Sequence, residues 1–372
     1  MSDINQKKSL LFVVPSWHLG GTERVNIAIA DKLLEKHDVF IYTLSNPNNE
    51  ALPSDTKVLG EKKYSFELFT SLSGLFGLLH FNVLNRVLMD SKAKKITKIC
   101  NDKNIDTIVV SSGSIYLIPF LKKQNPERKV VAWCHFSADL YLNGYLRYTT
   151  DLWIDGLSAA DEVVCLTRED REKFVKINNN TVVINNPVTI NNNQISNLEN
   201  KIISWTGRIS NPQKGIDYLA EIAGKLPEGW TISVAGTGDM ELMKELLIQN
   251  NAENRVVLHG SLSGEELQKH YLNSSIYLMT SRYEGFPLVL AEAMSFGLPI
   301  VAFEQSGSKE ALDFGKAGVL VESGNVDLLV MELNKLINSI EERRKYQILS
   351  LSKFKELKIE KIIKKWENLL VL

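Results

Sequence analysis

Two carboxylates, Glu284 and Glu292, stand eight residues apart in the stretch that runs from Ser281 to Gly297. Carboxylates placed beside a ligand accept hydrogen bonds from hydroxyls, which is how sugars and ribose are gripped. The spacing also fits a plainer arrangement, with Glu284 as a helix cap and Glu292 as a solvated surface residue. A second pair is cationic: Arg208 and Lys214, six residues apart at the end of another apolar run. Two such cations can converge on a pyrophosphate and neutralise it without a divalent ion. The charge of a diphosphate can be held either by a metal or by fixed cations and helix dipoles. The chain carries no D-x-D carboxylate pair to hold a cation there, so the expectation is a site with no metal.

The elements around these residues explain how they would be positioned. Residues 276–281 form a short apolar run suited to a buried parallel strand. Pro287 suits a first helical position, residues 288–296 are mostly good helix formers, and Gly297 followed by Pro299 is a stop. A helix is expected over 287–296 and a strand over 298–303, which puts Glu284 in the turn at a strand's carboxyl end. Ligands bind at such turns in open α/β sheets, and helix N-termini there favour phosphate.

The same alternation recurs along the chain. Strands are expected at 10–14, 39–43, 106–111, 129–135, 161–167 and 182–188, and again at 202–209, 231–236, 255–259 and 319–321. Helices fall between them, including 25–34, 116–122, 168–175, 216–226, 240–249, 265–272 and 325–340. Strand-helix alternation of this kind predicts parallel, doubly wound sheets. At 372 residues the chain is long for one domain. Ten of the 23 residues in 178–200 are asparagine, a turn and linker composition that sets the boundary near 190–200. The expected division is 1–190, 191–352 and a last amphipathic helix, 353–372, returning to the first domain. His135 and the Gly20-Gly21 pair also sit at carboxyl ends of strands in this scheme.

Composition narrows the classes further. Hydrophobic residues make up 44% and charged residues 23%, with net charge −1, ordinary for a globular protein and contrary to bulk nucleic-acid binding. Cys100, Cys134 and Cys165 are scattered, which suggests a reducing compartment. The apolar run before Pro15 is too short for a signal peptide, so a cytoplasmic location is expected. Residues 61–130 hold 12 Lys and Arg against 6 Asp and Glu. Within 61–103 an apolar half precedes a lysine-rich half, which fits weak peripheral contact with an anionic membrane and equally fits two core helices with solvated lysines.

The motifs together resemble the retaining GT-B glycosyltransferases, in particular glycosyltransferase family 4, and the resemblance covers nearly the whole chain. Glu284 to Glu292 resembles the family's E-x7-E signature, which implies that Glu284 contacts donor-sugar hydroxyls and Glu292 the ribose, with Gly285, Phe286, Pro287 and Leu288 lining the donor. Gly207-Arg208 and Lys214 resemble its G-R-(loop)-K-G motif. Gly20-Gly21-Thr22-Glu23 is similar to the GGxE loop near the donor's distal phosphate and the acceptor, Gly236 and Gly238 to a G-x-G turn near the nucleotide, and Leu262 to the position at the base. The resemblance implies that His135 contacts the sugar near the reacting centre, so that His135, Arg208, Lys214 and Glu284 form the catalytic set.

What the resemblance implies is α/β GT-B architecture: two facing Rossmann-like domains with a cleft between them, the first taking the acceptor and the second the nucleotide sugar. The expected reaction is retaining transfer of a hexosyl or N-acetylhexosaminyl group, from a UDP-sugar by family frequency, to a glycan or lipid-linked glycan at the inner face of the membrane. No cofactor is expected, since the nucleotide sugar is a substrate. Two rival readings share the scaffold: a sugar-nucleotide epimerase or phosphorylase, and a non-catalytic sugar-nucleotide-binding subunit.

Overall fold

The computed structural model describes residues 7–15, 20–44, 57–60, 81–142, 150–190 and 192–371. They form two compact units: Met1–Asn185 with Ile359–Leu372, and Asn186–Lys358.

The first unit is built on strands β1 (Ser9–Val14), β2 (Asp38–Thr43), β3 (Lys57–Gly60), β4 (Thr107–Ser111), β5 (Lys129–Trp133), β6 (Glu162–Cys165) and β7 (Thr181–Val183). Their order across the sheet is β3-β2-β1-β4-β5-β6-β7, and every pairing is parallel. Leu10 through Val13 are fully buried, as expected of a strand covered by helices on both faces. The connecting helices are α1 (Gly21–Leu34), α2 (Phe81–Asp102), α3 (Ile118–Gln124), α4 (Thr150–Ala159) and α5 (Arg168–Phe174). The strand order reverses between β1 and β4, and the crevice outside their carboxyl ends is where such a sheet receives ligands.

The second unit repeats the plan. Strands β8 (Ile202–Thr206), β9 (Thr231–Ala235), β10 (Val256–Leu258), β11 (Ile276–Met279), β12 (Ile300–Phe303) and β13 (Val319–Val321) pair in parallel in the order β10-β9-β8-β11-β12-β13. Its helices are α6 (Ile216–Gly224), α7 (Met240–Gln249), α8 (Gly264–Leu272), α9 (Leu288–Ser295), α10 (Ser306–Ala311), α11 (Val326–Asn338) and α12 (Ile340–Phe354). Here the order reverses between β8 and β11.

The amphipathic stretch after residue 340 is two helices. Leu357 is buried and its carbonyl accepts from Val188 N at 2.9 Å, so the chain breaks to bury it before α13 (Ile359–Val371) begins. Helix α13 belongs to the first unit. It buries Ile362, Ile363, Trp366 and Leu370, sets Trp366 edge-on to Trp133 at 4.6 Å, and pairs Glu367 with Lys36 at 2.7 Å.

Several boundaries differ from expectation. Pro287 is the N-cap of α9 rather than its first residue, with an extended ψ of 108°. The helix expected over 116–122 is a 3-10 turn, Ser112–Leu117, followed by α3. The strand expected at 182–188 is only the three residues of β7. In the 61–103 segment, residues 61–80 lie outside the described residues. The lysine-rich half is the core helix α2, with Ala93, Ile96 and Cys100 buried and Lys94, Lys95 and Lys98 exposed. Among the described residues no helix is long and apolar enough to cross a membrane.

Candidate functional site

In the second unit the polar residues gather where the sheet order reverses. Gly207 and Arg208 follow β8, and the loop after them is latched to the end of β11. Trp205 Nε1 donates to Thr280 Oγ1 at 3.0 Å, Thr280 Oγ1 donates to the Lys214 carbonyl at 2.8 Å, and Arg282 N donates to the Gln213 carbonyl at 2.8 Å. Arg282 forks onto both Asp217 oxygens, at 2.9 and 2.5 Å, and lies 3.9 Å over the Tyr218 ring. Gly215, the N-cap of α6, has φ +61 and packs so closely that a Cβ would overlap the Thr280 carbonyl. Only glycine meets both demands.

This latch aims Lys214 across the site. Its Nζ donates to Glu284 Oε1 at 2.5 Å, with the two side chains 17% and 12% exposed. The structure therefore brings together one member of the cationic pair and one member of the carboxylate pair. Arg208 is exposed, and its guanidinium meets no carboxylate among the described residues. Gly236 follows β9 and lies against the Gly207 carbonyl, where a Cβ would overlap it, and its N–H donates to the Gly260 carbonyl at 2.7 Å. The ends of β8, β9 and β10 thus present bare backbone to one another, and half-buried Leu262 follows them.

Glu292 departs from the solvated surface residue that the spacing also allowed. It is 1% exposed, because α9 is apolar on nearly every side: Leu288, Leu290, Ala291, Ala293 and Met294 are all buried. A carboxylate buried there needs donors, and Tyr271 OH supplies one at 2.9 Å, with Thr189 Oγ1 at 3.5 Å from its other oxygen. Burial, and after it the neighbouring Glu292, pushes the Tyr271 phenol well above its usual range, so it stays a donor. Asn186 reaches the Phe286 carbonyl at 3.4 Å, leaving its Oδ1 buried without a partner among the described residues. Beside β8 and β9, buried His270 meets Thr206 Oγ1 at 3.2 Å and Ser233 Oγ at 3.0 Å.

Tyr271, Thr189 and Asn186 were not singled out by the sequence. Tyr271 lies 21 positions before Glu292 and Thr189 103 positions before it, separations that only tertiary packing closes. One signal was present: a single Glu in an otherwise apolar helix has no solvated face to occupy.

In the first unit Gly20 caps α1 with an extended backbone, and Gly21 is the first helical residue. His135 follows β5 and is 5% exposed, with its ring 4.2 Å from that of Trp133. Burial pushes its pKa down to about 3, so the imidazole is neutral at physiological pH. Its Nε2 lies 3.3 Å from Asn26 Nδ2, and its buried Nδ1 has no partner among the described residues. Cys100, Cys134 and Cys165 are buried and free. Among the described residues no three His, Cys, Asp or Glu side chains cluster as a metal ion would require.

Comparison with known proteins gives a consistent result. The family described as Glycosyltransferase Family 4 matches residues 19–192, and Glycosyl transferases group 1 matches residues 200–339. An uncharacterized glycosyltransferase of Haemophilus influenzae is 31% identical over 98% of this chain and 100% of its own length. The amylovoran biosynthesis glycosyltransferase AmsD of Erwinia amylovora is 25% identical over 98% and 99%. Among solved structures, Anabaena HepE in complex with UDP has a TM-score of 0.78 at 18% identity, covering 97% of this chain and 99% of that one. The lipopolysaccharide outer core galactosyltransferase WaaB has a TM-score of 0.74 at 19% identity, over 97% and 98%. The fold these neighbours share with the chain is GT-B.

Proposed function

We propose, from the premise that this chain belongs to the group 1, family 4 glycosyltransferases, that it transfers a hexosyl or N-acetylhexosaminyl group from a UDP-sugar to a glycan hydroxyl with retention of configuration. The observation that carries the reading is the meeting of Lys214 and Glu284 at the β8–β11 reversal. A cation for a diphosphate and an acceptor for sugar hydroxyls then lie side by side, as the directly bonded diphosphate and sugar of a nucleotide sugar require.

In this reading Lys214 and exposed Arg208 receive the diphosphate, and its developing charge is held without a metal by these cations and nearby helix N-termini. Glu284 grips the sugar, Glu292 the ribose, and the bare backbone at Gly207 and Gly236 admits the nucleotide, with Leu262 at the base. Within the first unit, donor contact is assigned to Gly20, Gly21 and His135. The leaving phosphate helps deprotonate the acceptor hydroxyl as the new bond forms on the face the nucleotide leaves. The relatives named for amylovoran biosynthesis and lipopolysaccharide galactosyl transfer support a surface polysaccharide or lipid-linked glycan as acceptor, met at the cytoplasmic face of the membrane.

The test is a panel of nucleotide sugars screened for thermal stabilisation, since a bound donor raises stability by mass action. Product analysis with the best donor, with and without EDTA, then follows. The expected outcome is stabilisation by a UDP-sugar and a glycoside with the donor's anomeric configuration, formed equally with chelator present. An inverted anomer, or turnover abolished by EDTA and restored by a divalent ion, would refute the mechanism. Epimerised nucleotide sugar or sugar phosphate as product would refute the reaction class.

A further inference from the structure

We infer that Asn26 is a positioning residue for His135, fixing the imidazole in the tautomer that carries its proton on Nδ1 and presents that N–H as a donor to the transferred sugar. What the N–H meets rests on the glycosyltransferase reading above; the tautomer does not.

The chain of constraint begins at a backbone carbonyl. The Thr22 carbonyl can only accept, so the Asn26 amide atom 2.9 Å from it is Nδ2. The other amide atom is then Oδ1, and Ser111 Oγ donates to it at 2.9 Å. The second Nδ2 proton is left for His135 Nε2, 3.3 Å away. Two donors cannot satisfy each other, so Nε2 is the bare nitrogen and the proton sits on Nδ1. The three contacts come from α1, the end of β4 and the second residue after β5, and the β1–β4–β5 pairing holds the two strands in register.

Two further observations point the same way. Asn26 is fully buried in the middle of α1, where asparagine is a weak helix former and an apolar residue would pack as well. An asparagine there fits a polar task. On His135, Nδ1 is buried and has no partner among the described residues. Buried donors are nearly always satisfied, so one left open calls for a partner from outside the protein, a ligand or a water. Protonating Nε2 as well would set two donors head to head, in keeping with the direction in which burial moves this imidazole.

The test is long-range proton–nitrogen correlation spectroscopy of protein labelled with 15N-histidine, with the His135 signals assigned by their loss in His135→Gln. The expected wild-type pattern is a protonated Nδ1 and a bare Nε2. A protonated Nε2 overturns the inference, and this arm needs neither a variant to fold nor any turnover.

Asn26→Asp places a carboxylate oxygen against Nε2 and should move the proton there. Transfer should then fall about tenfold or more, the scale of one hydrogen bond that matters, with affinity for free UDP unchanged. Because aspartate also turns an acceptor toward Thr22 O, Asn26→Ala is the second variant, expected to give mixed tautomers and an intermediate rate. Inversion of the tautomer with undiminished transfer overturns the donor role of Nδ1–H. A wild type that transfers sugar from no nucleotide sugar would fail the glycosyltransferase reading, while the wild-type spectrum decides the tautomer independently.

Discussion

Lys214 Nζ and Glu284 Oε1 lie 2.5 Å apart with most of both side chains buried, so each neutralises the other where a nucleotide sugar would engage them separately. Removing Lys214 therefore does two things. Lys214→Ala should cost about 1–3 kcal/mol of stability by leaving Glu284 unpaired, and should cut turnover by about 100-fold or more through loss of a diphosphate cation. Arg208 is exposed, so Arg208→Ala should cut turnover on the same ~100-fold scale with the melting temperature unchanged. Saturating kinetics and thermal unfolding of the two variants check this, and normal turnover in either would remove the proposed diphosphate site.

The two carboxylates should separate kinetically. Tyr271→Phe takes a donor from Glu292 while keeping the ring that stacks on Phe296 at 5.2 Å. If Glu292 holds the ribose, KM for the nucleotide sugar should rise about 5- to 10-fold with kcat within about twofold, the size of one misplaced hydrogen bond. Glu284→Ala should instead lower kcat and relax the choice of donor sugar, with little change in the affinity for free UDP. The reverse pattern would exchange the roles assigned to the two residues.

Gly215 and Gly260 both have positive φ, +61 and +72, but their surroundings differ. An added Cβ at Gly215 overlaps the Thr280 carbonyl, whereas at Gly260 it meets nothing within 4 Å. Gly260→Ala should cost about 1–2 kcal/mol, the left-handed backbone alone. Gly215→Ala should cost clearly more and lower turnover, because the loop carrying Lys214 must shift. Urea unfolding compares them, and equal destabilisation would show that the latch to Thr280 is not tight.

Acid should unfold the protein through its buried histidines. Burial pushes His135 to about 3, and burial with nearby His259 pushes His270 to about 4. Both lie below the unfolded value of about 6.5, so the unfolded chain takes up protons first. Their contribution is fully present above pH 6.5 and is lost as pH falls toward 4 for His270 and toward 3 for His135. By pH 5 the loss should be about 2 kcal/mol for each. Urea midpoints at pH 7 and pH 5 measure it. A His270→Gln variant should show a shallower drop, and an unchanged drop would contradict the assignment to His270.

Much of this molecule is legible from short-range patterns. Buried β-branched runs such as residues 10–14 and 276–279, alternating with amphipathic segments, announce parallel sheets. Arg208 and Glu292 stand out as charges beside or within apolar runs, and Lys214 and Glu284 by their spacing from them in the loops that follow strands. Less legible is what pairing does to them. Nothing local says that Lys214 reaches Glu284 and Arg208 does not, since this depends on how Thr280 and Arg282 anchor the loop. Asn26 and Tyr271 read as ordinary helix residues until β4, β5 and α9 bring His135 and Glu292 to them. The position of the break before α13, after Phe354 rather than at 352, was hidden because residues 341–370 keep an amphipathic pattern across it.

Helix α13 gives the first unit a dependence on the order in which the chain is made. Trp366 packs on Trp133, which in turn lies against His135, yet it is encoded beyond all of the second unit. On the ribosome the second unit emerges whole while the first still lacks this wall. A chain cut short before Ile359 would keep every residue assigned to the site and still leave Trp133 uncovered. Loss-of-function nonsense mutations are thus expected even beyond the second unit, where a list of site residues alone would mark them harmless.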